Sequence, residues 1–171
     1  RRPSQRPGRA TPPEWRRPGS RSACRVPASG CFSALQQTLS TPVQDAGTFL
    51  LQHQESLRFK SASGLKVAVH IPCSASFFQQ HKATLSLLKR IPDLQLVELS
   101  NQSCCGAAGL HMLEQPVIAA QLRQPIVDAV NAHKPALLLS QNIGCRLYLA
   151  GGLNIPVQHP IEFMAQFLHD A

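Results

Sequence analysis

The stretch "LKVAVHIPC", residues 65–73, decides the fold. Apolar and β-branched residues run from Leu65 to Ile71, Pro72 ends the run, and Cys73 follows at once. This predicts a short buried strand with a cysteine just past its carboxyl end. The same arrangement recurs twice downstream. "LQLVEL" (94–99) is a second strand, and the adjacent Cys104 and Cys105 follow it in "SNQSCCG" (100–106). "ALLLSQ" (136–141) is a third, followed by Cys145 in "NIGC" (142–145). "IPVQHP" (155–160) predicts a short fourth strand.

Between the strands the period becomes helical. Residues 75–90 place Phe77, Phe78, His81, Leu85 and Leu88 at helical spacing. Residues 117–133 predict a second amphipathic helix with a kink at Pro125, and 160–169 a last one with Pro160 in its first turn. Strands alternating with helices predict an α/β fold: a small, mostly parallel sheet flanked by helices. Loops after the carboxyl ends of parallel strands share one edge, which is where such sheets bind ligands. Cys73, Cys104, Cys105 and Cys145 are therefore expected to converge.

Upstream the texture differs. Residues 1–27 hold eight arginines and one acid, Glu14, whereas the other 144 residues hold nine basic and eight acidic side chains. The net charge of +8 therefore belongs mostly to an Arg/Pro-rich head without strand or helix periodicity, predicted to be a disordered basic tail. A nearly neutral body argues against specific nucleic-acid binding, and tail contact with RNA or an acidic membrane is the minor reading. Residues 28–64 mix short helical patterns with breaks at Thr41-Pro42 and Gly47. No apolar run approaches the ~20 residues of a membrane span, and no apolar segment follows the first arginines as in a secretory signal. The chain starts at Arg1, so a fragment or processed product is expected.

Six cysteines in 171 residues are too sparse for a disulfide scaffold, and without a secretory signal a reducing compartment is expected. Four thiolates on glycine-flanked loops suit soft metals, either zinc or an iron–sulfur cluster. The two short C-x-x-C knuckles usual for structural zinc are missing, and a vicinal pair suits neighbouring irons, so the pattern favours a cluster with zinc left open. Four buried core cysteines are the bland alternative. A cysteine nucleophile is disfavoured, because His70, His111 and His159 show no partner pattern. His70 is read first as a strand-end residue and only second as a ligand. His159 and Glu162 are read as capping and surface residues, and Met112, Met164 and the phenylalanines as core.

The set Cys73, Cys104-Cys105-Gly106 and Cys145 resembles the cysteine-rich CCG domain family. That family includes the cysteine-rich subunit of heterodisulfide reductase, lactate-utilisation iron–sulfur oxidoreductases and the glycolate oxidase iron–sulfur subunit. "VHIPCS" (69–74), "SCCGAAG" (103–109), "SQNIGCRLYLAGG" (140–152) and "VQHPIEF" (157–163) look closest to the C-terminal part of the last. Asn142 stands where the family's closing C-x-x-C has its first cysteine, which leaves four candidate ligands. The resemblance implies that these four cysteines hold a [4Fe–4S] or related cluster in residues 65–171. It implies an electron-transfer subunit of a glycolate or 2-hydroxy-acid oxidase complex, with FAD carried by partner subunits in a hetero-oligomer. The expected location is the cytoplasm, with peripheral association at the inner face of the cell membrane for the complex. No standalone oxidase activity is expected of this chain. The competing reading is a docking scaffold with structural zinc or no metal. "ASGCFSAL" (28–35) echoes "NIGCRLYL" (142–149) in G-C-x-x-x-L, so residues 28–64 read as the remnant of a first such domain, with Cys31 its closing cysteine. Cys24 reads as incidental.

Overall fold

The computed structural model describes residues 44–77, 79–99 and 104–169. The expectations for the basic tail, Cys24, Cys31 and the 28–35 echo lie outside them. The compact unit begins at Gln44. Its first element, α1 (Ala46–Gln52), is capped by Asp45, whose carboxylate accepts the Thr48 N–H at 3.0 Å. Then come β1 (Lys66–His70), α2 (Cys73–Phe77), α3 (His81–Leu88), β2 (Gln95–Glu98) and the short α4 (His111–Glu114). The chain continues through α5 (Pro116–His133), β3 (Leu137–Ser140), α6 (Ile143–Ala150), β4 (Val157–Gln158) and α7 (Pro160–Ala165).

The four strands form one parallel sheet in the order β2-β1-β3-β4. The predicted α/β architecture is what the chain adopts. β1 and β3 are central and buried on both faces, which explains their unbroken apolar runs. Side chains alternate between the two faces. Val67, Val69, Leu137 and Leu139 point to one side and pack with Leu87 and Leu88 of α3 and Phe163 and Met164 of α7. Leu50 and Leu51 of α1 join that layer. Ala68 and Leu138 point to the other side, against Ile126 and Val130 of α5 and Leu149 of α6.

Several local expectations are corrected. The helix expected over 75–90 is two helices, α2 and α3, broken where Gln79 takes a φ of 58°. Phe77 consequently projects outward and is 70% exposed, and Phe49 is 50% exposed, so neither belongs to the core. The fourth strand shrinks to two residues and the last helix ends at Ala165. α5 runs unbroken through Pro125, which lies on its exposed side while Ile126, Val127 and Val130 bury the other. It ends on Lys134 in the left-handed conformation (φ 49°) just before Pro135, a common way to stop a helix. Lys66 Nζ of β1 donates to the His133 carbonyl at 2.6 Å and satisfies one of the freed acceptors there.

Candidate metal centre

β1 and β3 lie side by side, but their following connections lead to opposite edges of the sheet. Such a switch point opens a crevice at the carboxyl edge, and all four candidate cysteines lie there. Cys73 is the first residue of α2, directly after Pro72, and is exposed. Cys104 is half-buried, and Cys105 and Cys145 are buried.

The structure brings Cys105 and Cys145 together, with 3.0 Å between their sulfurs. Strand spacing alone does not predict this contact. β2 and β3 are separated by β1, so their axes are about 10 Å apart, and the segment from Cys104 must reach that far to bring Cys105 to Cys145. Two features hold that segment over. Gly106 takes a φ of +86°, and a Cβ there would lie 2.5 Å from the Ala119 carbonyl oxygen of α5. Only glycine combines that conformation with that closeness to helix backbone. His111 Nδ1 lies 3.1 Å from the Gly106 carbonyl, to which it donates. The Gly106 N–H in turn donates to Cys104 Sγ at 3.4 Å. On the opposite side Asn142 caps α6, its Oδ1 accepting the Cys145 N–H at 3.2 Å.

Cys73 and Cys104 face a neighbouring cleft of about 520 Å³, lined also by Ile71, Ser76, Phe77, His81 and Leu99. The four cysteines are thus split: two sulfurs in contact under the edge, two on the wall of an open cleft. Among the described residues no three His, Cys, Asp or Glu side chains converge on a point that could hold one ion. A single tetrahedral zinc would draw four sulfurs to about 2.3 Å from one centre, and four thiolates satisfy its donor chemistry. An iron–sulfur cluster takes the same thiolates, each on its own iron, with amide donors nearby. The donor set is therefore chemically suited to an iron–sulfur cluster.

The electrostatics of the pair follow from the contact. Cys105 is pulled down to about 6, chiefly because the Cys145 thiol hydrogen-bonds its thiolate. Cys145 is pushed up by the same shared proton, by burial and by the neighbouring Cys105, Cys73 and Cys104 charges. The opposite shifts belong to the pair and its shared hydrogen bond rather than to two independent thiols.

His70 is 2% exposed and held low, at about 4, by burial, so it is neutral. Its Nδ1 lies 3.0 Å from Ser140 Oγ, its register partner on β3. It is a strand-end residue with a side-chain partner, and among the described residues no metal-ligand group includes it. His159 and Glu162 form a capping box on α7: His159 Nδ1 accepts the Ile161 N–H at 3.2 Å and Glu162 accepts the His159 N–H at 3.3 Å. Their reading as caps holds. Burial first of all lowers the His159 pKa, and the cap leaves it neutral with its ring proton on Nε2.

Two contributors to the site escape the sequence reading. His111 matters as a donor to the loop rather than as a base, and nothing in "GLHM" signals that its ring reaches back to Gly106. Asn142 matters as a cap, and here a signal exists: an Asn just ahead of an apolar helical run is an N-cap pattern.

Residues 67–150, which carry all four of these cysteines, match the family model of the cysteine-rich domain CCG. The chain is 35% identical over 111 residues to the glycolate oxidase iron-sulfur subunit of Escherichia coli K12. That match covers 60% of this chain and 26% of the relative. It is also 29% identical over 106 residues to a subunit of the anaerobic glycerol-3-phosphate dehydrogenase of the same organism, covering 61% of this chain and 26% of that protein. The chain spans about a quarter of the length of these relatives.

Proposed function

We propose that this chain is the electron-relaying, cysteine-rich part of an oxidoreductase complex. In this reading Cys73, Cys104, Cys105 and Cys145 hold an iron–sulfur cluster of [4Fe–4S] or related type. The observation that carries it is the meeting of Cys105 and Cys145 at 3.0 Å on the carboxyl edge, beside a cleft walled by Cys73 and Cys104. Such a cluster supplies one-electron transfer. The protein's own part is to hold the sulfurs, aim amides at them and set how much water reaches them. The Gly106 N–H on Cys104 does the second, and the buried layer of Leu99, Ala107 and Leu149 around Cys105 and Cys145 does the third.

The matched relatives, an iron-sulfur subunit and a dehydrogenase subunit, support a place in a hetero-oligomer. We assign the partners as flavin-bearing subunits that oxidise glycolate or a similar 2-hydroxy acid, because cysteines and glycines alone offer no hydride chemistry. Cluster binding belongs to residues 65–171, with 28–64 as a trace of a related module and 1–27 as a basic tail. The complex belongs in the cytoplasm, peripheral to the inner face of the cell membrane. Among the described residues no helix is long and apolar enough to cross a membrane.

The test is iron, zinc and acid-labile sulfide per chain after anaerobic purification, beside Cys105→Ala. About four irons and four sulfides, lost in the variant, are expected. Zinc without sulfide, or well-folded protein without metal, refutes the redox reading and leaves a docking domain.

A further inference from the structure

The four cysteines are not equivalent once no centre holds them. Cys105 and Cys145 are 40 residues apart in sequence, yet their sulfurs lie 3.0 Å apart in a buried, apolar setting. A disulfide is about 2.05 Å long, so the sulfurs need approach by only about 1 Å. The other pairings are worse. Across a trans peptide the Cα atoms of Cys104 and Cys105 are about 3.8 Å apart, below the usual range of about 4.4–6.8 Å for a bridge. Cys104 also turns its sulfur toward the Gly106 amide, and Cys73 is exposed at the start of α2.

We propose that in the metal-free chain Cys105 and Cys145 form a reversible disulfide that blocks loading of the site until it is reduced. The blocking effect rests on the cluster reading above; formation of the bond does not. The oxidant is a peroxide. The Cys105 sulfur attacks one peroxide oxygen, the O–O bond breaks, one water leaves and Cys105 becomes a sulfenic acid. The Cys145 sulfur then attacks the Cys105 sulfur, the S–O bond breaks and a second water leaves. Two thiols and one hydrogen peroxide thus give one disulfide and two waters. Only Cys73 and Cys104 then remain unlinked on the edge, too few to hold a cluster. A dithiol reverses the bond by exchange.

The test uses the full chain, stripped of metal with a chelator and treated with one equivalent of hydrogen peroxide after removal of reductant. Peptides are then mapped by mass without reduction. The expected product is a Cys105–Cys145 cross-link, about 2 Da lighter than the two free thiols, with Cys73 and Cys104 still open to alkylation. The link persists in Cys104→Ser, checked for folding by circular dichroism. A cross-link through Cys104 or Cys73, or Cys105 and Cys145 both alkylated, overturns the proposal. Iron and sulfide uptake is then compared in linked, dithiol-reduced and never-oxidised chain. About tenfold lower uptake by the linked form, restored by the dithiol, is expected. Normal uptake by the linked form overturns the inference, whereas no uptake by the never-oxidised chain overturns the cluster reading.

Discussion

Replacing Gly106 with alanine tests how the CCG loop is held. Two costs can be read from the structure. At φ +86° an L side chain is strained, by about 1–2 kcal/mol on the scale of left-handed residues. The added Cβ would also lie 2.5 Å from the Ala119 carbonyl oxygen and 3.0 Å from its Cα. Both are helix backbone, which yields only if the loop or α5 shifts, and overpacking of this kind costs about 1–3 kcal/mol. The sum, about 2–5 kcal/mol, lowers the melting temperature by roughly 6–20 °C for a unit of this size. Gly109 supplies the control. It has a φ of +66° but nothing within 4 Å of its Cβ position, so Gly109→Ala carries only the strain. Ala119→Gly supplies a second control, because the obstacle is backbone and truncating that side chain should rescue nothing. The assay is thermal unfolding of the three single variants and the Gly106→Ala/Ala119→Gly double variant, by circular dichroism under reducing conditions. Equal losses for Gly106→Ala and Gly109→Ala, or rescue by Ala119→Gly, would refute the claim that the loop is pinned against α5.

Three further outcomes are expected. His70 has its folded pKa lowered from 6.5 to about 4, so the unfolded chain binds more protons between those values. Its contribution is complete above pH 6.5 and is lost as pH falls toward 4, about 3 kcal/mol in all. His70→Leu should flatten denaturant stability between about pH 6 and 4, and an unchanged slope would sink the assignment. Asn142→Ala removes the cap on α6 and the acceptor for the Cys145 amide, at about 1 kcal/mol, while Asn142→Asp keeps both. Equal urea midpoints for the two variants would refute the cap. Phe163→Ala opens the core beneath β1 and β3, where Phe163 is 1% exposed, and should cost about 3–5 kcal/mol in urea unfolding.

Much of the fold is legible in the sequence because central parallel strands must be apolar on both faces. "VAV" and "LLL" can be little else once Pro72 and the turn near Asn142 bound them. The place of the cysteines at the carboxyl edge follows from strand direction alone. The break between α2 and α3 is not legible: "FFQQ" carries no glycine or proline, and Gln79 takes its positive φ without either signal. Phe77 looks like core for the same reason, since a continuous helix would turn it inward. Periodicity overextends β4 because the flanking Ile155 and Pro156 look like strand, whereas pairing runs only through Val157 and Gln158.

By itself the sequence determined the α/β class and the sheet edge on which the cysteines lie. Those follow from local periodicity and from cysteine positions relative to strand ends, which need no knowledge of strand order. Only the tertiary structure decided which sulfurs meet. That depends on β1 lying between β2 and β3, on Gly106 bringing its loop against α5, and on His111 and Asn142 fixing the two sides. Strand order and the packing of the loop on α5 join segments that no short window of sequence contains. The two side-chain hydrogen bonds span only a few residues, but which way each side chain turns is set by the packing around it.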